Sequence, residues 1–368
     1  MLRIFGGPGR YIQGPDALDQ LPTILSSLGR RPFVIVDAEV DDLIGVRLRA
    51  LLQATAGAQL MRFSGQITYA NIEALAGAAR SHGADVVAGL GGGKALDAAK
   101  SVANRVDGRL VTVPSIASND APTSKVIAVY DDHHAMVAVE RDGRSPDVVI
   151  VDTALIASAP ARFLLCGIGD AIAKKFEAEG CEIGGGVNSH HTRPLVSAIV
   201  LADACYRQIR RHAVPALEAV GRRTVTADVE HLVEATVLMS GLGFESGGLS
   251  IAHAMTRGLM QAPGIAAAPH GLHVAYGLLV QLVLEERDDA FMQDITRFYR
   301  QIGLPLSLED LGGRQLGADG IREIARLSMA APFIGNLARP VDQQRMENAM
   351  HALEASARPQ PALARGAT

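Results

Sequence analysis

The chain has 368 residues, of which 48% are hydrophobic and 20% are charged, and its formal net charge is −4. A chain of this length can bury a large core and can form two domains. Its basic residues are scattered, so it lacks the electrostatic footprint of a nucleic-acid-binding protein. No run of about 18 apolar residues occurs, and the amino terminus lacks the apolar segment of a signal peptide. We therefore expect no nucleic-acid partner and no association with a membrane.

The cysteine content bears on the cellular compartment. The three cysteines, Cys166, Cys181 and Cys205, follow no spacing that is typical of a disulfide framework or a metal site. Unpaired cysteines are typical of proteins in a reducing compartment. We therefore expect a cytoplasmic protein.

The first part of the chain alternates short β-branched runs with segments of helical spacing. The predicted strands are 32–37, 59–63, 85–90 and 110–115, and the predicted helices are 43–56, 71–84 and one that starts near Lys94. Strands that alternate with helices of this length indicate βαβ units and a parallel sheet.

A change of character follows about residue 155. Segments 126–131, 136–141 and 147–152 are strand-like and are joined by short turns, so we predict that they pair antiparallel. Beyond them the strand-like runs nearly vanish, and long apolar patterns with helical spacing replace them. We predict an α/β domain over residues 1–157 and an all-α domain over residues 158–368.

Three consecutive glycines, Gly91 to Gly93, stand between a predicted strand and a predicted helix. Because glycine has no Cβ, backbone N–H groups can approach an anion there, and the helix N-terminus adds a partial positive charge. These features describe a phosphate cradle, although neither the G-x-G-x-x-G fingerprint nor the P-loop motif is present. The alternative is a tight turn that binds no ligand.

Two aspartates near this turn have two interpretations each. Asp37 ends the strand 32–37, where dinucleotide-binding folds place an acid that accepts hydrogen bonds from the adenosine ribose. Such an acid repels a 2′-phosphate and so favours NAD over NADP, whereas the alternative is a helix cap. Asp97, one turn into the helix after the glycines, either complements the helix dipole or contacts the cofactor.

Three residues in the helical half could bind a metal ion. Asp170 would otherwise be a good helix N-cap, His253 a core histidine, and His270 a cap. Together they offer one carboxylate and two imidazoles, which suit a catalytic Zn²⁺ with an open position or Fe²⁺ held by the same ligand types. A rival pair is His270 with His273, three residues apart on one helix.

The sequence resembles a known family in five segments. GLGGGKALDAAK, VPSIASNDAPTS, VIVDTALIASAPARFLLCGIGDAIAKKFEAE, GLGFESGGLSIAHA and PHGLHVAYG occur in the order and context of the glycerol dehydrogenases, within the metal-dependent, iron-containing alcohol dehydrogenase superfamily. The resemblance runs from PGRYIQGP to about Glu285. It implies a dehydroquinate synthase-like fold, in which a deep cleft separates an NAD-binding α/β domain from a helical metal-binding domain.

The resemblance also implies roles for individual residues. Asp170, His253 and His270 match the metal ligands, and Asp120 matches an acid that contacts substrate hydroxyls. The residues that match contacts to NAD are Asp37, Gly92, Gly93, Lys94, Asp97, Ser115, Ser118, Ser124, Val126 and Tyr130. The implied protein is a homo-oligomeric NAD-linked dehydrogenase with Zn²⁺ or Fe²⁺, which oxidises a secondary hydroxyl of a small polyol or reduces the matching ketone.

Several positions depart from the family's pattern and keep other substrates open. Lys125 stands where a small residue is usual, close in sequence to Asp120, and we expect it either to pair with a carboxylate or phosphate on the substrate or to face solvent. Arg257, Lys174 and Lys175 add further positive charge near the predicted metal ligands. The alternatives are a dehydrogenase of a 2-hydroxy acid or polyol phosphate, and a sugar-phosphate cyclase-like lyase that uses NAD transiently.

Overall fold

The structure, a computed structural model, describes residues 2–132, 136–141, 143–314 and 316–357. The strands are β1 (Tyr11–Gly14), β2 (Pro32–Asp37), β3 (Gln59–Phe63), β4 (Val86–Gly91), β5 (Arg109–Pro114), β6 (Ile127–Tyr130), β7 (Met136–Glu140) and β8 (Val148–Asp152). The first seven α-helices are α1 (Leu21–Leu28), α2 (Ala38–Gln53), α3 (Tyr69–His82), α4 (Gly93–Val106), α5 (Thr153–Ser158), α6 (Ala161–Ala171) and α7 (Lys174–Ile183). The remaining helices are α8 (Val196–Gly221), α9 (Ala227–Val233), α10 (Ser240–Gly247), α11 (Ile251–Leu259), α12 (His270–Leu284), α13 (Asp289–Ile302), α14 (Ala318–Ser328) and α15 (Gln343–Ala357).

Six strands form one parallel sheet in the order β1-β8-β5-β4-β2-β3. Its central strands are continuous apolar runs, as in β4 and β8, because a parallel sheet is covered on both faces. Helices α1 and α2 pack on one face of the sheet, and α3 and α4 pack on the other. The predicted βαβ organisation is therefore confirmed.

The prediction for segment 147–152 was wrong. Strand β8 lies inside the sheet, parallel to β1 and β5, and all five of its residues are buried. Its unbroken apolar run fits a strand that is covered on both faces, whereas β6 and β7 do form the predicted antiparallel hairpin. The edge strand β1 was not predicted.

Helix α2 begins five residues earlier than predicted. Asp37 is its N-cap, and its Oδ1 accepts hydrogen bonds from the amides of Glu39 at 3.0 Å and Val40 at 3.3 Å. The first turn, AEVDD, is polar, so the apolar periodicity gives no sign of it. The capping alternative for Asp37 is thus observed.

The chain after Asp152 is helical, and residues 153–314 and 316–357 contain no strand. Its large apolar core includes Val149 and Val151 of β8, so the helices pack directly against the sheet. Helix α5 already begins at Thr153, and the domain boundary at residue 157 stays a prediction; residues 358–368 of the second predicted domain lie outside the described residues. In the described part of the chain, no helix is both long and apolar enough to cross a membrane.

The glycine turn at the end of β4 is sterically determined. Gly91 has φ +153°, and a Cβ there would lie 2.7 Å from the Cβ of Asp37 and 2.8 Å from the Cβ of Ala95. Glycine therefore allows the end of β2, the turn and the first turn of α4 to meet.

We expect Gly91→Ala to lower the free energy of unfolding by about 2 kcal/mol or more, because it adds backbone strain and overpacking at a close contact. Urea unfolding measures this change. The control is Gly77→Ala in α3, where no atom lies within 4 Å of an added Cβ, and where alanine should stabilise the helix by about 0.5–1 kcal/mol. Equal effects of the two substitutions would contradict the steric explanation.

Candidate metal and cofactor site

A cavity of about 330 Å³ lies between the carboxyl edge of the sheet and the helical part of the chain. It brings together nine of the residues that the sequence singled out. They are Gly93, Lys94, Asp97, Asp120, Ser124, Val126, Tyr130, His253 and His270. The cavity wall therefore joins the glycine turn to the two histidines among the predicted metal ligands.

Other predicted residues do not line this cavity: Asp37, Gly92, Ser115, Ser118, Lys125 and the buried Asp170. Asp37 caps α2, and the amide of Ser115 donates to the Gly91 carbonyl at 3.0 Å, which extends the pairing of β4 with β5. The Lys125 amide donates to Glu245 Oε2 at 2.8 Å, and its position gives no support to the predicted substrate contact.

The Asp97 carboxylate joins helix α4 to the β6–β7 hairpin. Its Oδ1 accepts from Lys100 Nζ at 2.9 Å, and its Oδ2 accepts from the Ala128 amide at 3.0 Å. Burial raises the pKa of the neighbouring Tyr130, and the charge of Asp97 raises it further. Asp97 thus holds the wall of the cavity in place, a role that neither interpretation of the sequence included.

Asp170, His253 and His270 come together from α6, α11 and α12. Asp170 lies in the last turn of α6, so the N-cap alternative was wrong. The three residues offer ligand atoms within 4.8 Å of one another. Asp170 Oδ1 lies 3.2 Å from His253 Nε2 and 4.0 Å from His270 Nε2.

This arrangement fits a divalent metal ion. Ligands at about 2.1 Å from a tetrahedral ion are about 3.4 Å apart, close to the separations observed. Asp170 Oδ2 is buried and has no hydrogen-bond partner among the described residues, as expected of a carboxylate that is available to a cation. The rival pair fails, because His273 is buried and its Nε2 lies 3.0 Å from the carbonyl of Ile265.

Glu177 fixes the orientation of His253. Its Oε1 accepts from the His253 amide at 2.9 Å, and its Oε2 lies 2.7 Å from Nδ1 of the same residue. A carboxylate at Nδ1 places the proton there and leaves the Nε2 lone pair directed towards Asp170. Burial alone would lower the pKa of His253, but Glu177 and Asp170 raise it to about 9.

Lys174 is fully buried at the centre of the site. Its Nζ lies 2.9 Å from Asp170 Oδ1, 3.0 Å from Asp120 Oδ2 and 3.2 Å from His253 Nε2. Burial opposes the charge of Lys174, but Asp120 and Asp170 outweigh it and raise the pKa of the ammonium. Burial raises the pKa of Asp120, against the effect of Lys174.

The charges of the site favour a cation. Despite its burial, Asp170 has a lowered pKa because Lys174 and His253 stabilise its carboxylate. Glu177 behaves likewise: His253 outweighs its burial and lowers its pKa. With three carboxylates and one ammonium, the cluster has an excess of negative charge when both imidazoles are neutral, which suits a divalent ion.

Sequence reasoning missed Glu177 and Arg141, and it noted Lys174 only as a departure from the family. The one available signal was the spacing of Lys174, four residues after Asp170. Glu177 follows in a helical segment rich in charge, which is usually a solvated face. Arg141, directly after β7, lines the cavity without any motif to mark it.

Comparison with known proteins places the chain among relatives with this architecture. The model of the iron-containing alcohol dehydrogenase family matches residues 8–153. A glycolaldehyde reductase of Halobacterium salinarum is 39% identical over 88% of this chain and 90% of its own length. The chain belongs to the iron-containing alcohol dehydrogenase family. Within this family, a glycerol dehydrogenase of Thermotoga maritima is 38% identical to the chain over 86% of this chain and 87% of its own length.

Solved structures of the family share the fold. A probable glycerol dehydrogenase from Sinorhizobium meliloti 1021 is 37% identical, with a TM-score of 0.89 over 96% of this chain and 99% of its own. A glycerol dehydrogenase from Schizosaccharomyces pombe is 28% identical, also with a TM-score of 0.89, and covers 96% of this chain and 91% of its own. The predicted resemblance and fold class are confirmed. Family membership and the Asp170–His253–His270 cluster support NAD and a divalent metal ion as cofactors.

We expect Glu177→Gln to lower the affinity for Zn²⁺ by about 10- to 100-fold, because an amide NH₂ opposite Nδ1–H moves the His253 proton towards Nε2. Titration of metal-free protein against a chromophoric chelator measures the affinity. Glu179→Gln is the control, since Glu179 pairs with Lys175 at 2.6 Å and lies outside the cluster. Equal affinities in the two variants would contradict the orienting role of Glu177.

Proposed function

We propose that this protein is an NAD-linked, metal-dependent dehydrogenase that oxidises a secondary hydroxyl of a small glycerol-like polyol, or reduces the matching ketone. One observation carries the proposal: two imidazoles line the same cavity as the glycine turn of α4, and a buried carboxylate lies within ligand distance of both. The similarity of most of the chain to glycerol dehydrogenases supports the reaction class.

The sheet side of the cavity would bind NAD, which supplies the hydride acceptor. Gly93 and Lys94 lie at the N-terminus of α4, where backbone N–H groups and the helix dipole favour a diphosphate. Asp37 ends β2 beside Gly91, so it is placed to accept ribose hydroxyls and to disfavour a 2′-phosphate. The other contacts to NAD stay predictions: Gly92, Asp97, Ser115, Ser118, Ser124, Val126 and Tyr130. Of these, Asp97 would act by positioning the β6–β7 hairpin.

The helical side would hold the metal ion through Asp170, His253 and His270. We favour Zn²⁺ over Fe²⁺, and elemental analysis of the purified protein distinguishes them. When bound, the ion would supply Lewis acidity at the substrate oxygen.

The chain's own residues would select the substrate. The Asp120 side chain lines the cavity, is 14% exposed and is held by Lys174, so it can accept a hydrogen bond from a hydroxyl next to the reacting carbon. This contact favours vicinal diols. The apolar side chains of Phe244, Leu249 and Phe333 would reduce access of water to the reacting atoms. Cytoplasmic location and assembly into a homo-oligomer stay predictions.

The reaction class is tested by incubating Zn²⁺-loaded protein with NAD and a panel of vicinal diols that includes glycerol. We expect NADH to accumulate, the rate to fall about 100-fold or more after chelation, and Zn²⁺ to restore the rate. The reason is that Lewis acidity lowers the activation free energy by several kcal/mol. A cyclase-like lyase would consume a substrate without accumulating NADH. Activity that is indifferent to chelation, or absent with every diol, would contradict the proposal.

Lys174 competes with a metal ion for ligand atoms, since its ammonium already contacts Asp170 Oδ1 and His253 Nε2. We expect Lys174→Met to raise the Zn²⁺ affinity of the metal-free protein about tenfold or more. Two like unit charges about 4 Å apart repel by about 4 kcal/mol at an effective dielectric constant of 20.

Chelator competition gives the affinity, and thermal unfolding with and without Zn²⁺ shows whether the variant is folded. Lys175→Met is the control, because Lys175 pairs with Glu179 and Asp203 away from the site. A folded Lys174→Met protein with unchanged or weaker Zn²⁺ binding would show that Lys174 supports the ligands and does not compete with the ion.

A further inference from the structure

Arg141 lies in the wall of the proposed active site. It follows β7 directly, is half-buried and lines the same cavity as His253, His270 and Asp120. It also lines an adjoining cavity of about 300 Å³, which shares Phe244 with the first, and another of about 680 Å³. Arg141 is therefore part of the wall that encloses two of the predicted metal ligands.

The guanidinium of Arg141 has no hydrogen-bond or ion-pair partner among the described residues. Arg105, which is also half-buried, pairs with Glu73 at 2.7 Å and donates to the hydroxyl of Ser101 at 3.1 Å. A partly desolvated cation without an anion costs free energy, and arginine offers five N–H donors that suit a carboxylate or a phosphate.

Neighbouring positive charge adds to this cost. Burial lowers the pKa of the Arg141 guanidinium, and the charge of Arg257 lowers it further. Arg257 is exposed on α11, one turn after His253, and it has no ion pair within the described part of the chain. The two acids of the cavity wall are already used, Asp97 by Lys100 and Asp120 by Lys174. This side of the cavity therefore attracts anions.

We propose that Arg141, assisted by Arg257, binds an anionic group of the substrate, a carboxylate or a phosphate attached to the hydroxyketone or polyol that reacts. This inference rests on the proposed dehydrogenase function and narrows its substrate class. The alternative ligand for Arg141 is the diphosphate of NAD. The N-terminus of α4 with Lys94 already offers that diphosphate a site.

Three ketones that share the group HOCH₂–CO– test the proposal. They are dihydroxyacetone, which is neutral, hydroxypyruvate, which carries a carboxylate, and dihydroxyacetone phosphate. In each reduction, NADH transfers hydride to the carbonyl carbon, a proton is added to its oxygen, and NAD⁺ is released. We expect Zn²⁺-loaded wild-type protein to reduce one anionic ketone with a kcat/KM about tenfold or more above that for dihydroxyacetone.

The substitution Arg141→Gln should lower kcat/KM for the preferred anionic ketone about 30-fold or more. It should change kcat/KM for dihydroxyacetone and the KM for NADH by less than about threefold, because neither uses the guanidinium. Arg257→Gln should cost only about threefold, since its charge is exposed. Arg144→Gln is the control: Arg144 is exposed, ion-paired with Asp107 and absent from this cavity, so no ketone should be affected.

Three results would overturn the inference. The first is a preference for dihydroxyacetone, and the second is an equal loss for all three ketones in Arg141→Gln. The third is a selective rise in the KM for NADH, which would assign the arginine to the cofactor. If wild-type protein reduces no ketone, the anion site can still be tested by binding. Calorimetry then measures the binding of hydroxypyruvate and dihydroxyacetone phosphate to Zn²⁺- and NAD-loaded protein. Binding that requires Arg141 would support the anion site while the dehydrogenase proposal fails, and no binding would contradict both.

Discussion

The helical half of the molecule depends on a buried cluster of charges around Lys174. Asp120 reaches it from the loop after β5, Asp170 from α6, Glu177 from α7 and His253 from α11. Charges removed from water cost free energy unless they find partners, so a packing that keeps these contacts is favoured. The constraint that satisfies the cluster also brings Asp170, His253 and His270 to within ligand distance of one another.

The sheet contributes a different constraint. Parallel strands end at one edge, and Gly91 lets the backbone turn there without striking Asp37. The glycine turn and α4 therefore lie at a fixed place, and Asp97 ties the β6–β7 hairpin to them. The proposed cofactor site thus depends on backbone geometry, whereas the metal site depends on side-chain charges. The cavity lies where the two meet.

Much of this arrangement could be predicted from the sequence, for identifiable reasons. Apolar runs and the glycines that follow them predicted β2, β4 and the helical half, because buried strands and helices have a characteristic spacing of apolar residues. The pairing of strand β8 was predicted wrongly, because an apolar run indicates a buried strand but not which strands lie next to it. Lys174 and Glu177 could not be predicted as buried: a charged residue in a helix usually faces solvent, and only the tertiary contacts with Asp170 and His253 reverse that expectation.

The proposed chemistry depends on one divalent ion held by a carboxylate and two imidazoles near the glycine turn. Anomalous X-ray scattering at the zinc edge, from crystals grown with Zn²⁺ and NADH, tests it most directly. We expect one strong peak at about 2.0–2.2 Å from the nearest atoms of Asp170, His253 and His270, with the nicotinamide across the cavity. A peak at other residues, or none while Lys174 keeps its contacts with Asp170 and His253, would contradict it.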